Sequence, residues 1–83
     1  MTNRVAVLAI VVENKESVFA LNQILHEFAD YIIGRMGIPY REKKINVISI
    51  ALDAPEEVIN AVCGKIGRLD GVSSKTAYSN FVS

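Results

Sequence analysis

The chain has no tryptophan, one cysteine, one histidine and two prolines, and its nine basic side chains are matched by nine acidic ones. Each shortage excludes something. A formal net charge of zero gives no global push toward nucleic acid or an anionic membrane, whose recognition begins with a basic surface. The lone cysteine, Cys63, cannot form an intramolecular disulfide, which fits a reducing compartment. The lone histidine, His26, leaves no set of His, Cys and carboxylate ligands at metal-binding spacing. His26 therefore reads as a surface or structural residue, and Cys63, beside an apolar helical stripe, as a packing residue. With His, Cys and paired carboxylates so scarce, no catalytic residue is assigned. The reading is a non-enzyme with no metal and no cofactor.

Long apolar runs are missing too. Arg4 followed by Val5 to Val12 has the outline of a secretion signal, but the run is short. Glu13-Asn14-Lys15-Glu16 closes it without a small-residue cleavage site. Nothing approaches the roughly 20 apolar residues of a membrane-spanning helix. The expectation is a cytoplasmic protein without membrane contact.

What is present is aliphatic. Hydrophobic residues make up 51% of the 83 positions, with only six aromatics among them. A chain of this length is expected to form one domain over residues 1–83, and such a domain buries only about 60% of its unfolded surface. The apolar excess then reads as surface meant for a partner, most simply a second copy of the chain.

Arg4 to Glu13 holds eight consecutive apolar residues, too few for a buried helix, and predicts a strand. Asn14 suits an N-cap, with Glu16 in the first turn opposing the helix dipole. Val18, Leu21, Ile24, Leu25 and Phe28 recur at helical spacing. Tyr31 to Ile38 predicts a second strand that Pro39 ends, and Ile45 to Leu52 a third. Asp53 is the expected cap of a second helix, with Pro55 in its first turn and Glu56 reaching back. Its stripe is Val58, Ile59, Val62, Ile66 and Leu69, and Asp70-Gly71 stops it. Val72 to Tyr78 is a last, more polar strand.

This β-α-β-β-α-β order has an economical solution. It is an α+β ferredoxin-like sandwich, a four-stranded antiparallel sheet in the order 4-1-3-2 with both helices on one face. Strands 1 and 3, the most apolar, belong in the centre. Strand 1, however, is apolar on both sides, with Ala6, Leu8, Ile10 and Val12 on one and Val5, Val7, Ala9 and Val11 on the other. A sheet covered on one side should alternate apolar with polar. Val5, Val7, Ala9 and Val11, with Val47 of strand 3, therefore read as an open face that packs against another subunit.

Candidate ligand contacts come from two places. The connector after strand 2 carries Tyr40, Arg41, Lys43 and Lys44, with Arg35 nearby. Tyrosine beside arginine can stack and clamp an anion, although such a tip more often serves as a solvated guard against edge aggregation. Asn14, at a helix start, offers a neutral donor where the dipole favours negative charge. Asn14, Arg35, Tyr40 and Arg41 are the expected contacts of a small anion near a subunit boundary. Gly64 and Gly67, inside a helix, suggest close backbone approach or fraying toward the helix end.

Three stretches carry a family resemblance: Gly34 to Ile50 (GRMGIPYREKKINVISI), Glu13 to Ser17 (ENKES) and Gly64 to Val72 (GKIGRLDGV). Together they resemble the small ACT-like regulators associated with the iron-only hydrogenase system, and Arg35 to Tyr40 is the most specific part. The resemblance covers nearly the whole chain. It implies a ferredoxin-like, ACT-type fold, homo-oligomers and regulation through small-molecule binding. It does not extend to the amino-acid site typical of ACT domains, which often uses a glycine in the turn after strand 1, because this turn has none. There is no room for a helix-turn-helix, so contact with nucleic acid would run through another protein. The expected function is a non-enzymatic regulatory module whose partners are itself, a small anionic metabolite or a partner protein. The alternative is a structural interaction subunit without a ligand.

Overall fold

Ten residues of alternating burial open the fold. In the computed structural model, which describes residues 2–82, β1 (Asn3–Val12) buries Ala6, Leu8, Ile10 and Val12 and turns Val5, Val7, Ala9 and Val11 the other way. A short 3-10 turn (Lys15–Ser17) leads into α1 (Val18–Glu27), and another (Ala29–Tyr31) leads out to β2 (Ile32–Tyr40). After a reversal at residues 41–44 come β3 (Ile45–Pro55), α2 (Glu56–Gly67) and β4 (Val72–Val82).

The strands form one antiparallel sheet in the order β2-β3-β1-β4. That is the expected 4-1-3-2 order, with β1 and β3 central, and the fold is ferredoxin-like. Leu21 and Leu25 of α1 and Ile59, Val62 and Ile66 of α2 pack with the inner residues of β1 and β3 into one core. The apolar stripes read from the sequence supply these helix contacts. Lys65 of α2 joins Glu27 of α1 at 3.2 Å and lies 5.3 Å from the Phe28 ring centre.

Several element boundaries differ from expectation. Strand β2 runs through Pro39 to Tyr40, because an edge strand can hold a residue that lacks an N–H. Strand β3 continues to Pro55, since Asp53, Ala54 and Pro55 pair with Val5, Arg4 and Asn3 of β1. Asp53 is therefore a strand residue and not the cap of α2. The helix starts from Pro55 without a side-chain cap, and Glu56 and Glu57 in its first turn oppose the dipole. Helix α2 stops at Gly67, before Asp70-Gly71. A Cβ at Gly64 would sit 3.6 Å from Arg68 Nη1, and one at Gly67 would sit 4.0 Å from Ser74 Cβ. Both are ordinary contacts, so neither glycine is required by close approach within the chain.

One end of the sheet is fastened by Arg4. Its Nη1 meets Glu56 Oε1 at 3.0 Å, its Nη2 donates to the Ser79 carbonyl at 3.1 Å, and its guanidinium lies 4.4 Å from the Tyr78 ring centre. The Tyr78 hydroxyl donates to Asn60 Oδ1 at 2.7 Å. Burial, then the negative charge of Glu56, raises the Tyr78 pKa above its ordinary value. A raised folded-state value favours the neutral phenol. Its stabilising contribution is therefore complete below the unfolded tyrosine pKa of about 10 and is lost as pH rises through the folded value. Urea midpoints measured across this alkaline range should fall more steeply for the parent chain than for Tyr78→Phe.

Leu8 is fully buried, whereas Ile33 is 61% exposed. Leu8→Ala should cost about 2–5 kcal/mol, and Ile33→Ala should stay within about 0.5 kcal/mol. Denaturant unfolding of the two variants checks the core assignment.

Candidate functional site

The turn after β1 is built before any ligand is considered. Asn14 Oδ1 accepts from the Glu16 N–H at 3.0 Å, which caps the 3-10 turn as an asparagine there should. Asn14 Nδ2 donates to Asp70 Oδ2 at 2.8 Å. Ser17 Oγ donates to the Asp70 carbonyl at 2.6 Å, and the Glu13 N–H donates to the Gly71 carbonyl at 2.6 Å. The β1–α1 turn is thus tied to the α2–β4 turn by three hydrogen bonds. Gly71 is needed for this tie, because its φ is +67° and a Cβ there would lie 2.6 Å from Asn14 Cβ.

Opposite this clamped turn stands the β2–β3 hairpin. It overhangs the sheet, since β1 ends at Val12 opposite Asn46 while β2 and β3 continue to the Tyr40–Ile45 pair. Its reversal is closed by a Lys44 N–H to Arg41 carbonyl bond of 3.2 Å, with Lys44 itself at φ 57°. The Tyr40 hydroxyl donates to Glu42 Oε2 at 3.3 Å.

Between the turn and the overhang lies an open cleft of about 770 Å³. Glu13, Asn14, Lys15 and Glu16 line it from one side, and Pro39, Tyr40, Arg41, Lys44, Ile45 and Asn46 from the other. Three cations, Lys15, Arg41 and Lys44, thereby face two carboxylates, Glu13 and Glu16. The arrangement can hold an anion by a guanidinium fork and two point charges, with the tyrosine ring as a flat wall.

Asn14, Tyr40 and Arg41 of the expected contacts line this one cleft within a single chain. Arg35 does not. It lies in a separate depression with Asn22, Leu25, His26, Ala29 and Ile32, and its Nη2 is 3.4 Å from Asn22 Oδ1. The sequence reading left out Lys15, and it left Lys44 among the hairpin charges without assigning it to the site. Their signal was present in the basic run and the ENKE turn, but nothing local states that the two segments face each other. Among the described residues, no group of three or more His, Cys, Asp or Glu is placed to hold a metal ion. No helix is long and apolar enough to cross a membrane among those residues.

The second feature is the open face of the sheet. Val7 and Val47 are each 40% exposed there, Val5 and Val11 are half-buried, and Ala9 is exposed. Met36 and Ile38 of β2 extend the same face, because they pair with Ser49 and Val47 of β3.

The family model described as "TM1266-like: Iron-only hydrogenase system regulator, putative" matches residues 4–76. Among solved structures, protein TM1266 from Thermotoga maritima is similar with a TM-score of 0.88 and 34% identity, over 92% of this chain and 96% of that one. A formyltetrahydrofolate deformylase from Pseudomonas putida KT2440 is similar with a TM-score of 0.66 at 11% identity, over 93% of this chain and 29% of that one. That likeness shows a shared fold alone. No curated protein matches the chain.

Gly71→Ala should destabilise the protein by more than about 1 kcal/mol, because it combines a left-handed backbone with a clash at Asn14. Loss of the Asn14–Asp70 tie should show as faster amide exchange across residues 13–17. Unchanged exchange there would mean that the clamp does not hold the turn.

Proposed function

We infer the function from one premise: this chain belongs to the TM1266-like family of iron-only hydrogenase system regulators. On that basis it is a regulatory protein without catalytic activity, which binds a small anionic metabolite and assembles with copies of itself. The observation that carries the ligand half is the convergence of Lys15, Arg41 and Lys44 with Asn14 and Tyr40 around one cleft. Cations drawn from two separate elements respond to an anion that joins them, and a bound anion would draw the hairpin toward the turn. Asn14 acts chiefly by position, because its oxygen and one amide hydrogen already serve the turn. Arg41 supplies the bidentate fork and Tyr40 the stacking wall.

The assembly half rests on the open sheet face. The molecule measures 41 × 20 × 17 Å by its Cα positions, so its broad side is of the order of the ~800 Å² per partner found in stable interfaces. Val5, Val7, Ala9, Val11 and Val47 form the apolar centre of that side, and covering them by a second sheet removes a patch that a monomer would leave in water. This face also supports a second reading, in which the chain is an interaction subunit whose contacts are its whole function. The ligand experiment separates the two.

Thermal-shift measurements with inorganic phosphate, nucleotides, amino acids and divalent metals should show stabilisation by an anion, since a ligand that binds only the folded state raises the melting temperature. Arg41→Ala should weaken binding of the anion found by about 1.5–3 kcal/mol, whereas Arg35→Ala should leave it unchanged. No stabilisation by any anion would favour the interaction-subunit reading. Val7→Glu should lower the molar mass measured by light scattering, because a carboxylate would be buried without a partner. A parent chain that is monomeric at micromolar concentration would sink the assembly half.

A further inference from the structure

The cleft between the β1–α1 turn and the hairpin carries charges of both signs, and none of them is paired. Lys15, Arg41, Lys44, Glu13 and Glu16 line it. Yet the ion pairs found among the described residues lie elsewhere, at Arg4–Glu56 and Lys65–Glu27. No side-chain hydrogen bond within those residues engages these five groups either. Asn46, half-buried in the same cleft, likewise keeps its side-chain amide open to a ligand. The path of β1 is the reason. The strand leaves the sheet at Val12, opposite Asn46, where Glu13 turns its N–H to the Gly71 carbonyl. Ile45 is left without a neighbour in β1, and the cleft opens there.

A simple anion would answer only the cations. Glu13 and Glu16 are acceptors for hydroxyl or amine donors, and the Asn46 amide can donate and accept at once. The cleft of about 770 Å³ falls in the range of about 300–1,000 Å³ in which drug-sized ligands bind. A single amino acid would leave most of it empty. Three cations against two carboxylates leave one net positive charge, which suits one phosphate better than a chain of phosphates. The lining also has an apolar part, formed by Pro39, Ile45 and the ring of Tyr40, whose hydroxyl bonds to Glu42 Oε2 at 3.3 Å.

We propose that the cleft takes an adenine nucleotide with a single phosphate, an assignment that rests on the anion-binding reading above and narrows it. Arg41 meets the phosphate as a bidentate fork, with Lys44 and Lys15 as point charges around it. The base stacks on Tyr40, a contact open to every base that adds affinity without choosing among them. The choice comes from Asn46, because a carboxamide donates to N7 of adenine and accepts from its N6 amino group in one plane. Guanine and hypoxanthine carry an acceptor oxygen where adenine carries that donor, so they leave the amide oxygen unpaired. The carboxylates of the turn accept from the ribose hydroxyls, as an acidic residue does in dinucleotide sites.

Calorimetric titration of the full chain with adenosine monophosphate, inosine monophosphate, ribose phosphate and inorganic phosphate tests each part. Adenosine monophosphate should bind about tenfold tighter than ribose phosphate and about tenfold tighter than inosine monophosphate. Tyr40→Leu should cancel the first difference and Asn46→Ala the second. Ribose phosphate should bind both variants as it binds the parent chain, and circular dichroism checks that each is folded. Equal affinity for adenosine monophosphate and either ribose phosphate or inosine monophosphate would overturn the adenine assignment while leaving a phosphate site in place. Binding of a different anion, with none of these four bound, would also overturn it and keep the anion-binding reading. A chain that binds no anion at all would overturn both.

Discussion

Successive side chains of a strand fall on opposite faces, and β1 places apolar groups on both. Two helices can cover only one side of a four-stranded sheet. Ala6, Leu8, Ile10 and Val12 therefore make the core with Leu21, Leu25, Ile59, Val62 and Ile66, while Val7 and Val47 stay in contact with water. The bulkier residues take the inner face, where each buried methylene contributes most. The remainder of the molecule answers to this asymmetry. A small domain whose central strand is apolar on its uncovered face has a thermodynamic reason to cover that face.

The candidate cleft depends on a different constraint, the tie between two distant turns. Asn14 and Ser17 bond to Asp70, and Glu13 bonds to Gly71, so residues 13–17 are held against the end of α2. The β2–β3 hairpin is held only by its pairing with the sheet and projects past β1. One wall of the cleft is thus rigidly supported and the other is a two-stranded overhang. On the proposed function, a ligand that drew Arg41 and Lys44 toward Lys15 would move the hairpin against the clamped turn.

Much of this could be read from the residues in order. The element sequence, the central positions of β1 and β3, and the two helical stripes follow from hydrophobic period, which is a local property. Gly71 was legible as a left-handed position after the second helix. The boundaries were less so. Asp53, Ala54 and Pro55 carry the local marks of a helix start, yet Val5, Arg4 and Asn3 of β1 offer them a strand partner. Pro39 carries the mark of a strand end, yet at an edge its missing donor has no consequence for β3.

The candidate site divides along the same line. Asn14, Tyr40 and Arg41 were recognisable by type, since amide, aromatic ring and guanidinium are what anion binding needs. Lys15 joins them only because the tie to Asp70 and Gly71 sets the ENKE turn opposite the hairpin, and Arg35 leaves them because its side of β2 faces Asn22 of α1. The sequence by itself determined which segments become strands and helices and which face of each seeks an apolar neighbour, because propensity and period act over a few residues. Only the tertiary structure decided which charges share a cleft and where strands end. Those outcomes depend on contacts between residues tens of positions apart, and no local pattern encodes them.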